Sequence, residues 1–195
     1  MSKNHNRNVR VAVLVDVQNV FYGARDQFDG KLDFKMLMNK AIAGRSLVRA
    51  VAYCVTCPGT DPSAFHGTLR QHGFDIKEKF LKVIEGGGTK GNWDVGIAID
   101  GVLIGSSCDV IVLVTGDGDF VDLVNYLKSA GKRVEAICFH GTAATELLQS
   151  VDQYSWVDED MMLKAKNNSG EAPCRADILG RSDGGHVDLS KDYQE

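Results

Sequence analysis

Two stretches, Arg10–Asp16 (RVAVLVD) and Asp109–Thr115 (DVIVLVT), decide the fold. Each is a short run of Val and Leu or Ile bounded by polar or Gly residues, the composition of a strand covered on both faces. Lys132–Phe139 (KRVEAICF) reads the same way. Leu47–Val55 (LVRAVAYCV) is a weaker candidate, and Phe74–Leu81 (FDIKEKFL) alternates apolar and charged residues, which places it near an edge.

Helical patterns fall between these strands. Phe34, Leu37, Met38, Ala41 and Ile42 repeat at helical spacing behind Asp33, an N-cap. Asp61-Pro62 gives an N-cap followed by proline in the first turn, and Gly73 closes that segment. Val95, Ile99, Val102 and Leu103 make an apolar stripe, as do Phe120, Leu123, Val124 and Leu127, the latter ending where Gly131 supplies a left-handed turn. Strands alternating with helices, with few hairpin signals, predict an α/β fold: three layers, with helices on both faces of a central, mostly parallel sheet.

The chain has 195 residues, 22 Lys and Arg against 26 Asp and Glu, a net charge of −4 and 44% hydrophobic residues. No run approaches the roughly 20 apolar residues that span a bilayer, and MSKNHNRNVR lacks the apolar core of a signal peptide. The acidity argues against a broad basic face that holds duplex nucleic acid. Five cysteines form an odd, scattered set, which reads as reduced thiols of a cytoplasmic protein. The expected organisation is a flexible N-terminus (1–8), one domain (9–160) and a flexible C-terminal tail (161–195) whose composition is poor in apolar residues.

In such a sheet, ligands sit beyond the carboxyl ends of the strands. The first strand ends in Asp16, followed by Val17-Gln18-Asn19; the strand Asp109–Thr115 runs into Gly116-Asp117-Gly118-Asp119. If the two strands are neighbours, Asp16, Asp117 and Asp119 meet. Asp94 stands at the start of the Val95 helix, and Asp100 lies six positions on, about 120° around the helix. Carboxylates gathered in one cleft repel each other unless cations neutralise them, and hard oxygen donors suit Mg²⁺ or Mn²⁺. Gly116 and Gly118 allow a sharp turn that aims Asp117 and Asp119 at one point. Asp119 and Asp94 are also placed to cap helices, and Asn19 to start one.

These segments resemble the NYN-domain, or LabA-like, branch of the PIN-like nucleases. The likeness lies in Val15-Asp16-Val17-Gln18-Asn19, in Lys90-Gly91-Asn92-Trp93-Asp94-Val95 with Asp100, in Thr115–Phe120 (TGDGDF), and in Glu146-Leu147-Leu148 followed by Asp152-Gln153-Tyr154. The order is kept from about Val9 to Asp158. The resemblance implies a PIN-like Rossmannoid fold and a ribonuclease that uses Mg²⁺ or Mn²⁺ to hydrolyse RNA, most simply single-stranded RNA. Asp16, Asp94, Asp117 and Asp119 would then be catalytic, metal-binding acids, Asn19 would orient a ligand or a water, and Asp100 and Thr115 would be auxiliary. Lys90 is placed to hold a phosphate, and Trp93 and Phe21-Tyr22 offer rings to unpaired bases, with packing as the competing use. A non-catalytic RNA-binding or regulatory module stays open beside the enzyme, and so does a homodimer.

Other signals lead nowhere. Cys54-Val55-Thr56-Cys57 sits at a strand end rather than a helix start, and only eight residues separate Cys57 from His66, short of zinc-finger spacing. Gly86-Gly87-Gly88-Thr89-Lys90-Gly91 lacks the Ser or Thr that completes a P-loop. A phosphatase of the haloacid dehalogenase type needs a second acid two residues after Asp16, where Gln18 stands.

Overall fold

The computed structural model describes residues 8–84 and 88–163. The expectations for the two tails lie outside the described residues, except for the positions where each meets the domain.

In chain order the elements are β1 (Arg10–Asp16), α1 (Val17–Phe28), α2 (Phe34–Ile42), β2 (Ser46–Thr56), α3 (Ser63–Gln71), β3 (Asp75–Phe80), β4 (Lys82–Ile84), β5 (Gly88–Lys90), α4 (Asp94–Gly105), β6 (Val110–Val114), α5 (Val121–Ser129), β7 (Arg133–Cys138), α6 (Thr145–Ser150) and β8 (Gln153–Trp156). Short 3₁₀ turns cover Gly118–Phe120 and Glu159–Met161. Six strands form one sheet in the order β3-β2-β1-β6-β7-β8, every pair parallel. A small antiparallel pair, β4 with β5, stands apart from it. This is the three-layer PIN-like Rossmannoid arrangement. All five strands read from the sequence are present, and Asp75–Phe80 is an edge.

The side-chain period of two sorts the central strands into two cores. Val11, Val13 and Val15 of β1 and Val110, Val112 and Val114 of β6 pack under α1, α2 and Leu69 of α3. Ala12, Leu14, Ile111 and Leu113 face the other way, against Ile97 and Ile104 of α4, Leu123, Val124 and Leu127 of α5, and Leu147 of α6. Both faces being covered, β6 reads as an unbroken apolar run.

Local signals hold in detail. Asp33 caps α2 by accepting from the Lys35 and Met36 backbone N–H groups at 2.8 and 3.1 Å. Gly131 closes α5 with φ of +76°. Asp61 accepts from Ser63 N at 2.9 Å, while α3 itself begins at Ser63.

Two expectations are corrected. The stripe Val95, Ile99, Val102 and Leu103 faces outward, with Val95 71% and Leu103 64% exposed. The buried face of α4 is Ile97, Asp100, Gly101, Ile104 and Gly105, because the two inward glycines let the helix settle against Leu123 and Leu127. A Cβ on Gly101 or Gly105 would come within 3.0 or 2.9 Å of those side chains. Cys54, Cys108 and Cys138 are free and buried. The second correction is that Gly116 and Gly118 do not take positive φ; Gly116 is needed because a Cβ there would stand 2.9 Å from Ala143 Cα and 3.0 Å from the Thr142 carbonyl, backbone that has no room to yield. Among the described residues no helix is long and apolar enough to cross a membrane.

Candidate functional site

The strand order reverses between β1 and β6, since the chain builds outward from β1 to β2 and β3 and then returns to add β6 on its other side. At such a switch point the loops after the two strands diverge and leave a crevice. Register makes their ends level: Val15 pairs with Val114, so Asp16 and Thr115 stand side by side, with Asp117 two residues further on.

Asp16 is the N-cap of α1. Its Oδ1 accepts from the backbone N–H groups of Gln18 and Asn19, both at 3.1 Å. Its location at a strand end did not announce that structural duty. Burial raises its pKa from the ordinary 3.8 to about 6; the Asn19 N–H opposes the rise, and the charges of Asp94 and Asp117 add to it. No lysine or arginine is among its strongest influences.

Asp117 caps the 3₁₀ turn, its Oδ1 accepting from Asp119 N at 3.0 Å. Its own N–H donates to Thr115 Oγ1 at 3.2 Å. Thr115 is buried, and its hydroxyl braces the turn from beneath. Asn19 works between the strands: its Oδ1 accepts from Gly116 N at 2.9 Å, which ties the first turn of α1 to the β6 turn. Ala144 N donates to Gly116 O at 2.8 Å from the other side. The capping role expected for Asp119 thus falls to Asp117, and Asp119 stays exposed.

Asp94 is the first residue of α4 and accepts a hydrogen bond from Asn92 Nδ2 on its Oδ2. Burial raises its pKa first, then the charges of Asp117 and Asp119. Asp16, Asp94, Asp117 and Asp119 therefore form one electrostatic group across three segments of chain. Among the described residues, however, no three His, Cys, Asp or Glu side chains stand close enough to hold a metal ion as they are placed. The acids act on one another across a gap.

Asp100 is engaged by other partners. It lies on the buried face of α4, accepting from Tyr53 Oη at 2.6 Å and pairing with Lys77 Nζ at 2.7 Å. Trp93 is packed as well: its ring lies 5.4 Å from that of Tyr53, its Nε1 donates to Cys54 O at 2.8 Å, and Lys79 Nζ sits 4.0 Å over its face. Phe21 and Tyr22 lie on α1 beneath Arg25. The side chain of Lys90 lies outside the described residues. Sequence reading gave no role to Tyr53, Lys77 or Asn92. Asn92 stood inside a quoted motif, whereas nothing in a β-strand Tyr or an edge Lys signals a partner on a distant helix.

Carboxylates at the switch point of a doubly wound sheet define a class of α/β domain with an acidic crevice. The chain belongs to the NYN domain family, whose model matches residues 10–158. It is 28% identical over 157 residues to the low amplitude and bright protein LabA of Synechococcus elongatus, across 76% of this chain and 83% of that protein. Its fold also matches the crystal structure of a protein of unknown function from Vibrio parahaemolyticus, with a TM-score of 0.74 and 32% identity over 84% of this chain and 100% of the other.

Proposed function

We propose that this NYN domain is a ribonuclease whose acids, Asp16, Asp94 and Asp117 with Asp119 at the mouth, would hold Mg²⁺ or Mn²⁺ and hydrolyse single-stranded RNA in the cytoplasm. The observation that carries the reading is Asp16, a carboxylate raised to about 6 at the end of a central strand, with two further acids adding to that rise. A carboxylate set of this kind is costly in the absence of a cation and suits a hard one. Among the described contacts the caps take Oδ1 of Asp16 and of Asp117, and Asn92 donates to Oδ2 of Asp94. The remaining oxygens are the donors, and the side chains must draw together to share one ion.

A bound divalent cation would acidify the attacking water and neutralise charge on the leaving oxygen. The chain's own residues do the rest. Asn19 and Gly116 hold the two acid-bearing turns at fixed separation, and Asn92 orients Asp94. Asp100 anchors α4 to β2 and β3 rather than joining the acids. Thr115 fixes the backbone from which Asp117 projects. Lys79, whose Nζ lies 3.0 Å from the Asn92 carbonyl, offers a cation at the rim for a phosphate, as Lys90 would.

A second reading, an RNA-binding or regulatory module without cleavage, is favoured by one observation: the acids stand apart, and Asp16 and Asp117 already serve as caps. The two are separated by incubating single-stranded RNA with the purified chain and Mn²⁺, with EDTA and Asp117→Asn as controls. Asn caps about as well as Asp, so the variant keeps its turn. The nuclease reading expects cleavage that both controls abolish, together with at least a roughly tenfold weakening of Mn²⁺ binding in Asp16→Asn, read by the free-ion paramagnetic resonance signal. RNA binding without cleavage, and Mn²⁺ binding indifferent to Asp16, would favour the module.

A further inference from the structure

The outward face of α4 is apolar from end to end. Val95, Ile99 and Leu103 are 71%, 54% and 64% exposed, Val102 is 37% exposed, and Tyr126 of α5 across the groove is 51% exposed. The groove runs between the two helices, with Asp94, Asp119 and Asp122 along its edge. A helix that is apolar all round is normally covered all round. The inner face of α4 meets the sheet and α5, while the outer face is open to solvent.

We propose that this face is the contact between two copies of the chain, packed with their α4 helices antiparallel about a two-fold axis near Ile99. Three observations select that occupant. The first is charge: among the described residues the groove's lining has no lysine or arginine to hold a phosphate, and beyond its acidic end it is apolar, which fits an apolar partner surface. The second is area. The five exposed side chains offer roughly 500 Å², and a stable contact of about 800 Å² per partner that is about 65% apolar needs close to the same. The third is polarity along the helix. Asp94 and Asp119 mark one end of the groove, and Val102 and Tyr126 line the other. Antiparallel packing sets the acidic end of each copy over the apolar end of its partner, away from the partner's acids. Parallel packing would oppose the acids.

A contact between identical patches requires such self-complementarity. Because the groove starts at Asp94 and Asp119, the partner would form one wall of the crevice. The proposal stands whether or not the acids cut RNA.

The test is sedimentation of the full chain at tens of micromolar. The expected species has twice the 21.2 kDa of one chain, and Ile99→Lys is expected to run as a single chain with unchanged circular dichroism. As a measurement that survives misfolding of that variant, Ile99→Cys is treated with diamide. Two thiols near the axis give up two protons and two electrons to the reagent and form one intermolecular disulfide, whereas Val48→Cys, 42% exposed on β2, forms none. A wild-type chain that sediments at 21.2 kDa overturns the proposal, whatever else then covers the face. So does a two-chain species in which Ile99→Cys fails to cross-link.

Discussion

Helices α4 and α5 lie side by side on the same face of the sheet, yet they turn their apolar stripes in opposite directions. In α5 the apolar stripe Leu123, Val124 and Leu127 faces the core, as helical spacing predicts. In α4 the comparable stripe faces solvent, and the inward side carries an aspartate and two glycines beside Ile97 and Ile104. The difference lies in what competes for the core. α5 is amphipathic, so the hydrophobic effect has one way to turn it. α4 is apolar on every side, so burial is nearly indifferent to its rotation. The polar group decides: Asp100 meets Tyr53 and Lys77 only when it points inward, and the same rotation carries Asp94 to the acids.

The largest expected effect falls on α5. Leu127→Ala removes a fully buried side chain and should lower stability in urea by about 3 kcal/mol; a loss near zero would mean that α5 is not the amphipathic helix described. On α4, Asp100→Ala should cost about 2 kcal/mol, because Tyr53 is left with a buried hydroxyl and no acceptor. Full stability in that variant would remove the reason given for the helix's rotation.

Asp16→Asn should act in the opposite direction. Asp16 is protonated in the folded chain to a higher pH than in the unfolded one, so the wild type loses stability as pH rises from 3.8 to about 6, by at most about 3 kcal/mol. Asn keeps the cap without the charge, and the variant should be roughly 1–2 kcal/mol more stable at neutral pH. Its stability should be flatter across that window in thermal melts. A variant less stable than the wild type at neutral pH would show that the carboxylate is not strained. The smallest effect is on the outer face of α4: Leu103→Gln, measured at dilution low enough to keep chains single, should change stability by no more than about 0.5 kcal/mol.

What could be read from the sequence follows the same division. The buried strands were legible because two-sided burial leaves an uninterrupted apolar run, and β1 has the bounds its residues predict. β8 was not legible, since Gln153–Trp156 is a short edge strand with exposed residues and its place rests on pairing with β7. The acids could be placed at strand ends by topology alone. Their caps and braces could not: Asn19 reaching Gly116, or Asp117 rather than Asp119 capping the turn, depends on backbone angles that spacing does not record. Asp100 was legible as an acid on α4 but not as the partner of Tyr53, because its 47-residue separation from that strand leaves no local trace.

The central claim is that Asp16 feels Asp94 and Asp117 as charges in one crevice. Its most direct test is the carboxyl carbon resonance of Asp16 followed through a pH titration, in the wild type and in Asp94→Asn. A midpoint near 6 that falls in the variant, and falls again when Mg²⁺ is added to the wild type, is the expected result. An ordinary carboxylate midpoint, unmoved by Asp94→Asn and by Mg²⁺, would contradict it.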